Sequence, residues 1–412
     1  MTDRDALYRA VLGNPEDDTL RLVYADALEE SGDPRRAAFV RAHVELSRLP
    51  EYDTLWVRAR GHGYGRTFDP EWVAELELPD GIEWARDPFR RGLPGAVRAR
   101  DGAAFVAHAD ELFTRYPIEA LELSVVRIPE AQEFAECPWL VRLVSLSLVQ
   151  GGGRNAVEPL LASPHLTRLT DLRIGSGLTT TATVFAILRS PAFKRLTAFG
   201  MRNDPREGGL LAGELARLSN PPRLKKLDLS GNRLTAGSLA PLVSSEVVAA
   251  VEDLDLSENN LGAEGVAVLA RGTLPALRSL RLRGTPPQDE GVAALVGAVF
   301  FPELRSLALG ANNLGPNAAL AIANGPSDNL RVLDLSDNRV GDRGAVGLAR
   351  SAHLPNLIDL DLAEAHVGDA GVTAILDSPL AEQLVFLNLS GSPMSDGMKE
   401  LLKERMGDRV RV

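Results

Sequence analysis

An apolar skeleton of the form LxxLxL returns at a nearly constant interval from about Ile118 to the C-terminus. Its clearest copies read LKKLDLSGNRL from Leu224, VEDLDLSENNL from Val251, LRSLALGANNL from Leu304 and LRVLDLSDNRV from Leu330. The central position of each core falls at Leu121, Leu146, Leu172, Phe199, Leu227, Leu254, Leu280, Leu307, Leu333, Leu360 and Leu387, spaced 25 to 28 residues apart. Eleven copies at one period dictate a solenoid, in which each unit packs only on its neighbours. The 412 residues therefore do not count domains, and a surface is expected rather than a reaction chamber.

The bulk chemistry narrows the function. The chain is 45% hydrophobic but only 5% aromatic, which fits a core of stacked Leu, Val and Ala layers. No run approaches 18 apolar residues, so no membrane-spanning helix is expected. The charged start Met1-Thr2-Asp3-Arg4-Asp5 lacks a secretory pattern, and the single cysteine, Cys137, cannot form an internal disulfide. A cytoplasmic chain is expected. The net charge of −11 argues against a general nucleic-acid binder, which needs a clustered basic face.

Ahead of the repeats, residues 1–50 read as a small helical domain. Thr2 and Asp5 resemble a capping box before Ala6, Leu7, Ala10 and Val11, and Asn14-Pro15 ends that helix. A second helix follows Asp17-Asp18, with Leu20, Val23, Tyr24, Ala27 and Leu28 at helical spacing, and stops at Gly32. A third, from Arg35 to about Leu49, turns Ala38, Phe39, Ala42, Leu46 and Leu49 to one side. Residues 51–117 form a connector and cap. Trp56, Tyr64, Phe68, Trp72 and Trp84 cluster there, Gly92 to Ala99 reads as a capping strand, and Ala103 to Tyr116 as a helix burying Phe105, Ala109, Leu112 and Phe113. The solenoid occupies 118–412.

The repeats resemble the long leucine-rich repeats of the ribonuclease-inhibitor type. The segment LRLVYADALEESGDPRRAAFVRAHVEL resembles the bacterial repeat-companion domain found ahead of such repeats in planctomycetes. The first resemblance covers about 295 residues and implies an α/β leucine-rich repeat horseshoe solenoid, with parallel inner strands, outer helices and binding as its usual role. The second covers about 50 residues, places Tyr24, Asp26, Glu29 and Glu30 on the companion pattern, and implies no activity.

The residues agree with that fold. The alternating LxL is a short parallel strand, and segments such as Glu264 to Arg271, Asp342 to Arg350 and Asp369 to Leu376 supply the returning helix. Asn232, Asn259, Asn312 and Asn338 follow the strands at one register, where their amides are expected to satisfy backbone groups of the turn and its neighbour. That ladder breaks at Thr285, Ala365 and Ser392, and Pro286-Pro287 forbids the standard turn. Val410 and Val412 are placed for a closing strand.

Catalytic patterns do not assemble. Gly61-His62-Gly63-Tyr64-Gly65 and Gly151-Gly152-Gly153 lack the Lys-Ser/Thr pair of a phosphate loop. His43, His62, His108, His165, His353 and His366 show no metal-ligand spacing, and no serine or cysteine sits in a nucleophile motif. The chain is read as a non-enzyme without cofactor or metal.

The strand residues flanking each core leucine point away from the core and line the inner, concave face. They present Asp228, Asp253, Asp255, Asp334, Asp359 and Asp361, with Glu258, Asp337 and Glu364 just beyond the strands and Arg281 and Arg283 interrupting the acid. Carboxylates stacked about 4.8 Å apart repel by roughly 0.9 kcal/mol in water. Three explanations remain: a solvated face kept acidic for solubility, a docking site for a basic protein segment, and a weak divalent-cation site. The expected function is a protein-binding scaffold, monomeric, engaging a basic partner through this face. The alternative is a regulator of another enzyme, inhibiting a hydrolase or activating a small GTPase.

Overall fold

The computed structural model describes residues 3–61, 70–151, 153–175, 180–202 and 208–412. Met1, Thr2, His62, Gly63, Tyr64, Gly65, Phe68 and Gly152, named above, lie outside the described residues. The chain forms two compact units, one drawn from the residues before Tyr52 and from Pro70 to Leu196, the other from residues 52–61 and from Thr197 onward.

The first unit begins with helices α1 (Asp3–Gly13), α2 (Asp18–Glu30) and α3 (Pro34–Ser47). Asp17 caps α2 by accepting from the amides of Thr19 and Leu20, and Asp33 caps α3 with Pro34 in its first turn. Val11, Ala25, Leu28, Ala37, Val40 and Val44 form their core. The buried face of α3 is thus rotated from the expected one: Ala38 and Ala42 are exposed. The cause is Phe39, which turns to an aromatic cluster with Trp72 and Phe89, ring centroids 5.2 and 5.0 Å away.

A buried ionic network fastens these helices to the rest of the unit. Arg21 is 0% exposed and donates to the carbonyl of Pro15 from Nε (3.0 Å) and Nη2 (2.7 Å), and from Nη1 to that of Arg90 (3.2 Å). Its Nη2 also lies 3.5 Å from Glu119, which pairs with Arg91; Arg91 in turn reaches Asp18 at 3.2 Å. Burial, then the charge of Arg91, pulls the Arg21 guanidinium down to about 10.

The connector contains more sheet than expected. Helices α4 (Thr54–Gly61), which belongs to the second unit, and α5 (Pro70–Ala74) precede strands β1 (Ile82–Trp84), β2 (Phe89–Arg90), β3 (Leu93–Pro94) and β4 (Ala96–Ala99). Strands β2 and β3 pair as a hairpin whose turn glycine, Gly92, has φ +80°; a Cβ there would stand 2.4 Å from the Cα of Val40. The pair β1 and β4 is antiparallel, and from β4 the sheet runs parallel through β5 (Ala120–Val126), β6 (Ser145–Gly151) and β7 (Asp171–Ile174). Helix α6 (Gly102–Arg115) buries Phe105, Ala109, Leu112 and Phe113 as expected.

In the second unit the strands are β8 (Ala198–Met201), β9 (Lys226–Asp228), β10 (Asp253–Asp255), β11 (Ser279–Arg281), β12 (Ser306–Ala308), β13 (Val332–Asp334), β14 (Asp359–Asp361), β15 (Phe386–Asn388) and β16 (Val410–Arg411). They form one parallel sheet in which Leu227, Leu254, Leu280, Leu307, Leu333, Leu360 and Leu387 stand in register, each essentially buried beneath the returning helices. The closing strand is β16, with Val410 beside Leu387.

The asparagine ladder has the expected role. Asn259 accepts at Oδ1 from the amides of Asn232 (3.0 Å) and Leu234 (2.9 Å) in the preceding repeat and donates from Nδ2 to the carbonyls of Leu229 and Leu256, both at 2.9 Å. Asn338 repeats the pattern with Asn312 and Leu314. At the break, Thr285 still gives its amide to Asn312 Oδ1 (2.7 Å), and its hydroxyl donates to the carbonyl of Leu282 (2.7 Å).

Candidate functional site

Because strand side chains alternate, the residues on either side of each buried leucine form two rows on the open face of the second unit's sheet. One row is Lys226, Asp253, Ser279, Ser306, Val332, Asp359 and Phe386; the other is Asp228, Asp255, Arg281, Ala308, Asp334, Asp361 and Asn388. Asp228, Asp253, Asp255, Asp334, Asp359 and Asp361 therefore stand on one side of the sheet.

Most of the second row also has a structural task that the sequence reading missed. Asp228, Asp255, Asp334 and Asp361 each accept at Oδ1 from the amide two residues on, Ser230, Ser257, Ser336 and Ala363, at 2.9 to 3.0 Å. The Ser230 and Ser336 hydroxyls add a second bond of 2.6 Å each. This is an Asx turn, locking the strand's exit. Asn388 makes the same bond with an amide oxygen, accepting from Ser390 N at 3.2 Å. The signal was present as the D-L-S that recurs at Asp228, Asp255 and Asp334.

Charge on the face is uneven. Burial pushes the Asp255 carboxyl above its ordinary range; hydrogen bonds from Ser257 oppose this and the neighbouring Asp228 reinforces it. Arg281 pairs with Asp253 at 2.6 Å, and Arg202 lies 3.4 Å from Asp228. Arg283 runs across the next repeat to pair with Asp337, donate to Ser336 Oγ (3.0 Å) and approach Asp334 (3.8 Å). Asp361 receives the Asn388 amide at 3.1 Å. Glu258, Asp337 and Glu364 are exposed in the turns, all left-handed, with φ of 57°, 54° and 53°.

The apolar end of the first row is covered. Helix α4 packs there, with Val57 (1% exposed) against Val332 and Phe386 and with Tyr52, Ile358 and Val385 around them. Arg331 fixes its start, donating from Nε to the carbonyl of Tyr52 (2.9 Å) and from Nη2 to the Thr54 hydroxyl (2.8 Å). Asp359 stands between Val332 and Phe386 and is 3% exposed, so it is not among the carboxylates that this face offers to solvent.

Models of known families match within this unit: one described as "Leucine Rich repeat" over residues 251–270, 327–349 and 353–376, and one described as "Leucine Rich Repeat" over 223–245. The chain carries leucine-rich repeats. It is 36% identical to a Tonsoku-like protein of Bos taurus over 133 residues, which are 29% of this chain and 10% of that protein. It is 32% identical to a ribonuclease inhibitor of Sus scrofa over 137 residues, 31% of this chain and 30% of that one. The alignments thus span less than a third of either relative. A chain in the crystal structure of the yeast Rad7 and Elc1 complex matches 90% of this chain and 91% of its own length with a TM-score of 0.53 at 16% identity, a likeness of fold. The leucine-rich repeats thus build an α/β solenoid of parallel strands and flanking helices, with the N-terminal helices in place.

Ahead of the leucine-rich repeats, the companion-pattern residues divide by role. Tyr24 packs on Tyr8 with centroids 5.3 Å apart, and burial raises its hydroxyl pKa. Asp26 and Glu29 both pair with Arg41 at 2.6 Å, and Glu30 is exposed. Among the described residues no group of three His, Cys, Asp or Glu is arranged to hold a metal ion, and no helix is long and apolar enough to cross a membrane.

Proposed function

We propose that the protein is a non-enzymatic scaffold that binds a protein partner with a basic surface through the open sheet face of its second unit. The observation that carries this reading is the set of carboxylates held at one register by the turn locks, Asp228, Asp255, Asp334 and Asp361, beside the exposed turn acids Glu258, Asp337 and Glu364. A row of like charge steers an oppositely charged partner and sets its orientation. Asp253, Arg281 and Arg283 divide the acid into segments and define where along the face a basic chain can sit. In this reading the protein acts as a monomer in the cytoplasm without a cofactor, and the N-terminal helices are a companion domain of the planctomycete type.

Asn388 shows how to test it, since an amide keeps the turn lock without the charge. A variant with Asp228, Asp255, Asp334 and Asp361 all changed to Asn should fold as wild type. Affinity capture from the host lysate, with mass spectrometry, should recover a basic protein with wild type and lose it with the variant. Equal recovery of the same proteins at all salt concentrations would overturn the assignment.

A second reading, regulation of another enzyme, is favoured by the aligned segment of a ribonuclease inhibitor. Assays of ribonuclease and GTPase turnover with and without the protein separate regulation from binding alone.

A further inference from the structure

The first row of the open face changes character along the sheet. It is polar at Lys226, Asp253, Ser279 and Ser306, then apolar at Val332 and Phe386 on either side of Asp359. An apolar patch on a face otherwise mostly polar and charged is a place built to be covered. What covers it is informative: α4 reads TLWVRARG, with two arginines and no acidic residue. A helix of the chain itself, with two arginines and no acid, is thus seated on the apolar end of this face, anchored by one small aliphatic side chain, Val57, and held at its start by Arg331.

We propose that α4 is an intramolecular stand-in for the partner: the patch of Val332, Ile358 and Phe386 with Arg331 is a docking site for a short basic helix bearing a small aliphatic anchor, and the partner's helix displaces α4 to engage it. This rests on the reading of the acidic face as a site for basic protein segments, and it adds the partner's chemistry and a means of regulation. A helix of two turns has little stability of its own, so α4 holds its place through the Val57 contact, the Arg331 bonds and its covalent attachment. Laying one face of an amphipathic helix into a groove is a common way for proteins to recognise a peptide.

The test uses the full chain and a labelled synthetic peptide of residues 54–61, capped at both ends. In wild type the site is occupied; in Val57→Asp it is open. The peptide should bind Val57→Asp at least ten-fold more tightly than wild type, and adding Val332→Asp should abolish that binding. Because Val57→Asp could unfold the unit, a second variant replacing residues 52–61 with a Gly-Ser linker of equal length is titrated in parallel, and both are checked by circular dichroism and thermal melting. Equal affinity for wild type and the opened variants would overturn the proposal, as would no binding to a folded opened variant. Loss of the acidic-row reading shows itself separately, in the Asp to Asn capture experiment, which does not involve the peptide.

Discussion

Arg283 lies across Gly310: a Cβ at residue 310 would stand 2.3 Å from Arg283 Nη1 and 2.9 Å from Ser336 Oγ. The bare backbone is what lets the guanidinium reach Asp334 and Asp337 a repeat further on. The same relation recurs with acids, since a Cβ at Gly284 would be 2.8 Å from Glu258 Oε1, and one at Gly391 2.1 Å from Glu364 Oε1. Arg283, Glu258 and Glu364 therefore each lean over a glycine in the following repeat.

Gly310→Ala should push Arg283 off its partners. The displaced group is the end of a flexible, partly exposed side chain, so the expected loss is about 1 kcal/mol. Urea unfolding of Gly310→Ala, Arg283→Ala and the double variant checks this. The double variant should cost no more than Arg283→Ala alone, and full additivity would show that the two residues do not interact.

Asp255 carries both a turn lock and an unfavourable charge, and two substitutions separate them. Asp255→Ala removes the acceptor of the Ser257 amide and should cost about 1 kcal/mol. Asp255→Asn keeps the acceptor and should be at least as stable as wild type at pH 7. Because the folded carboxyl titrates above its ordinary value, the folded state binds the proton first, and the contribution of Asp255 to stability improves as pH falls through the folded pKa. Asp255→Asn should lose that part of the pH dependence, as measured by unfolding across the mildly acidic range.

Glu364 occupies a left-handed position, φ 53°, that Gly231, Gly284 and Gly391 fill in other repeats. Relief of the strain outweighs the extra freedom of a glycine in the unfolded chain, so Glu364→Gly should stabilise the protein by about 0.5 kcal/mol. Partner affinity should fall at the same time if this acid serves the face. A thermal melt and a binding titration on one preparation measure both.

Arg21→Met removes one member of a buried network and leaves Glu119, the Pro15 carbonyl and the Arg90 carbonyl to rearrange. It should cost about 3 kcal/mol and speed tryptic cleavage among the first 50 residues. Arg48→Met acts on the exposed end of the same network, where Arg48 meets Asp18, and should cost less than about 0.5 kcal/mol.

The repeat was legible because one leucine per period has to be buried whatever surrounds it, and the asparagine register because an unpaired turn amide is costly anywhere in the array. That Asp228, Asp255, Asp334 and Asp361 stand on one side of the sheet was legible from strand alternation, whereas the burial of Asp359 was not. Three further features were not. The turn locks at Asp228, Asp255, Asp334 and Asp361 look in sequence like free surface charge, since a short-range bond to a backbone amide leaves no trace beyond a serine two residues on, and at Asp361, followed by Ala363, not even that. The rotated face of α3 follows from Phe39 meeting Trp72 and Phe89, contacts distant in the chain. The seat of α4 joins Val57 to Val332 and Phe386, and periodicity within TLWVRARG carries no address for its partner.

The asparagine ladder sets the smallest piece of this array that has a meaning. With Asn259 accepting from Asn232 and Leu234, a turn is completed only by the repeat that follows it. A repeat is therefore not a module that melts by itself but half of a joint. Insertion or deletion of one whole period preserves the joint wherever an asparagine-bearing repeat still follows, whereas a cut within a period leaves two amides and a carbonyl facing nothing. The array is thus editable in length only in whole periods, and its unfolding should spread from joint to joint rather than start independently in each repeat.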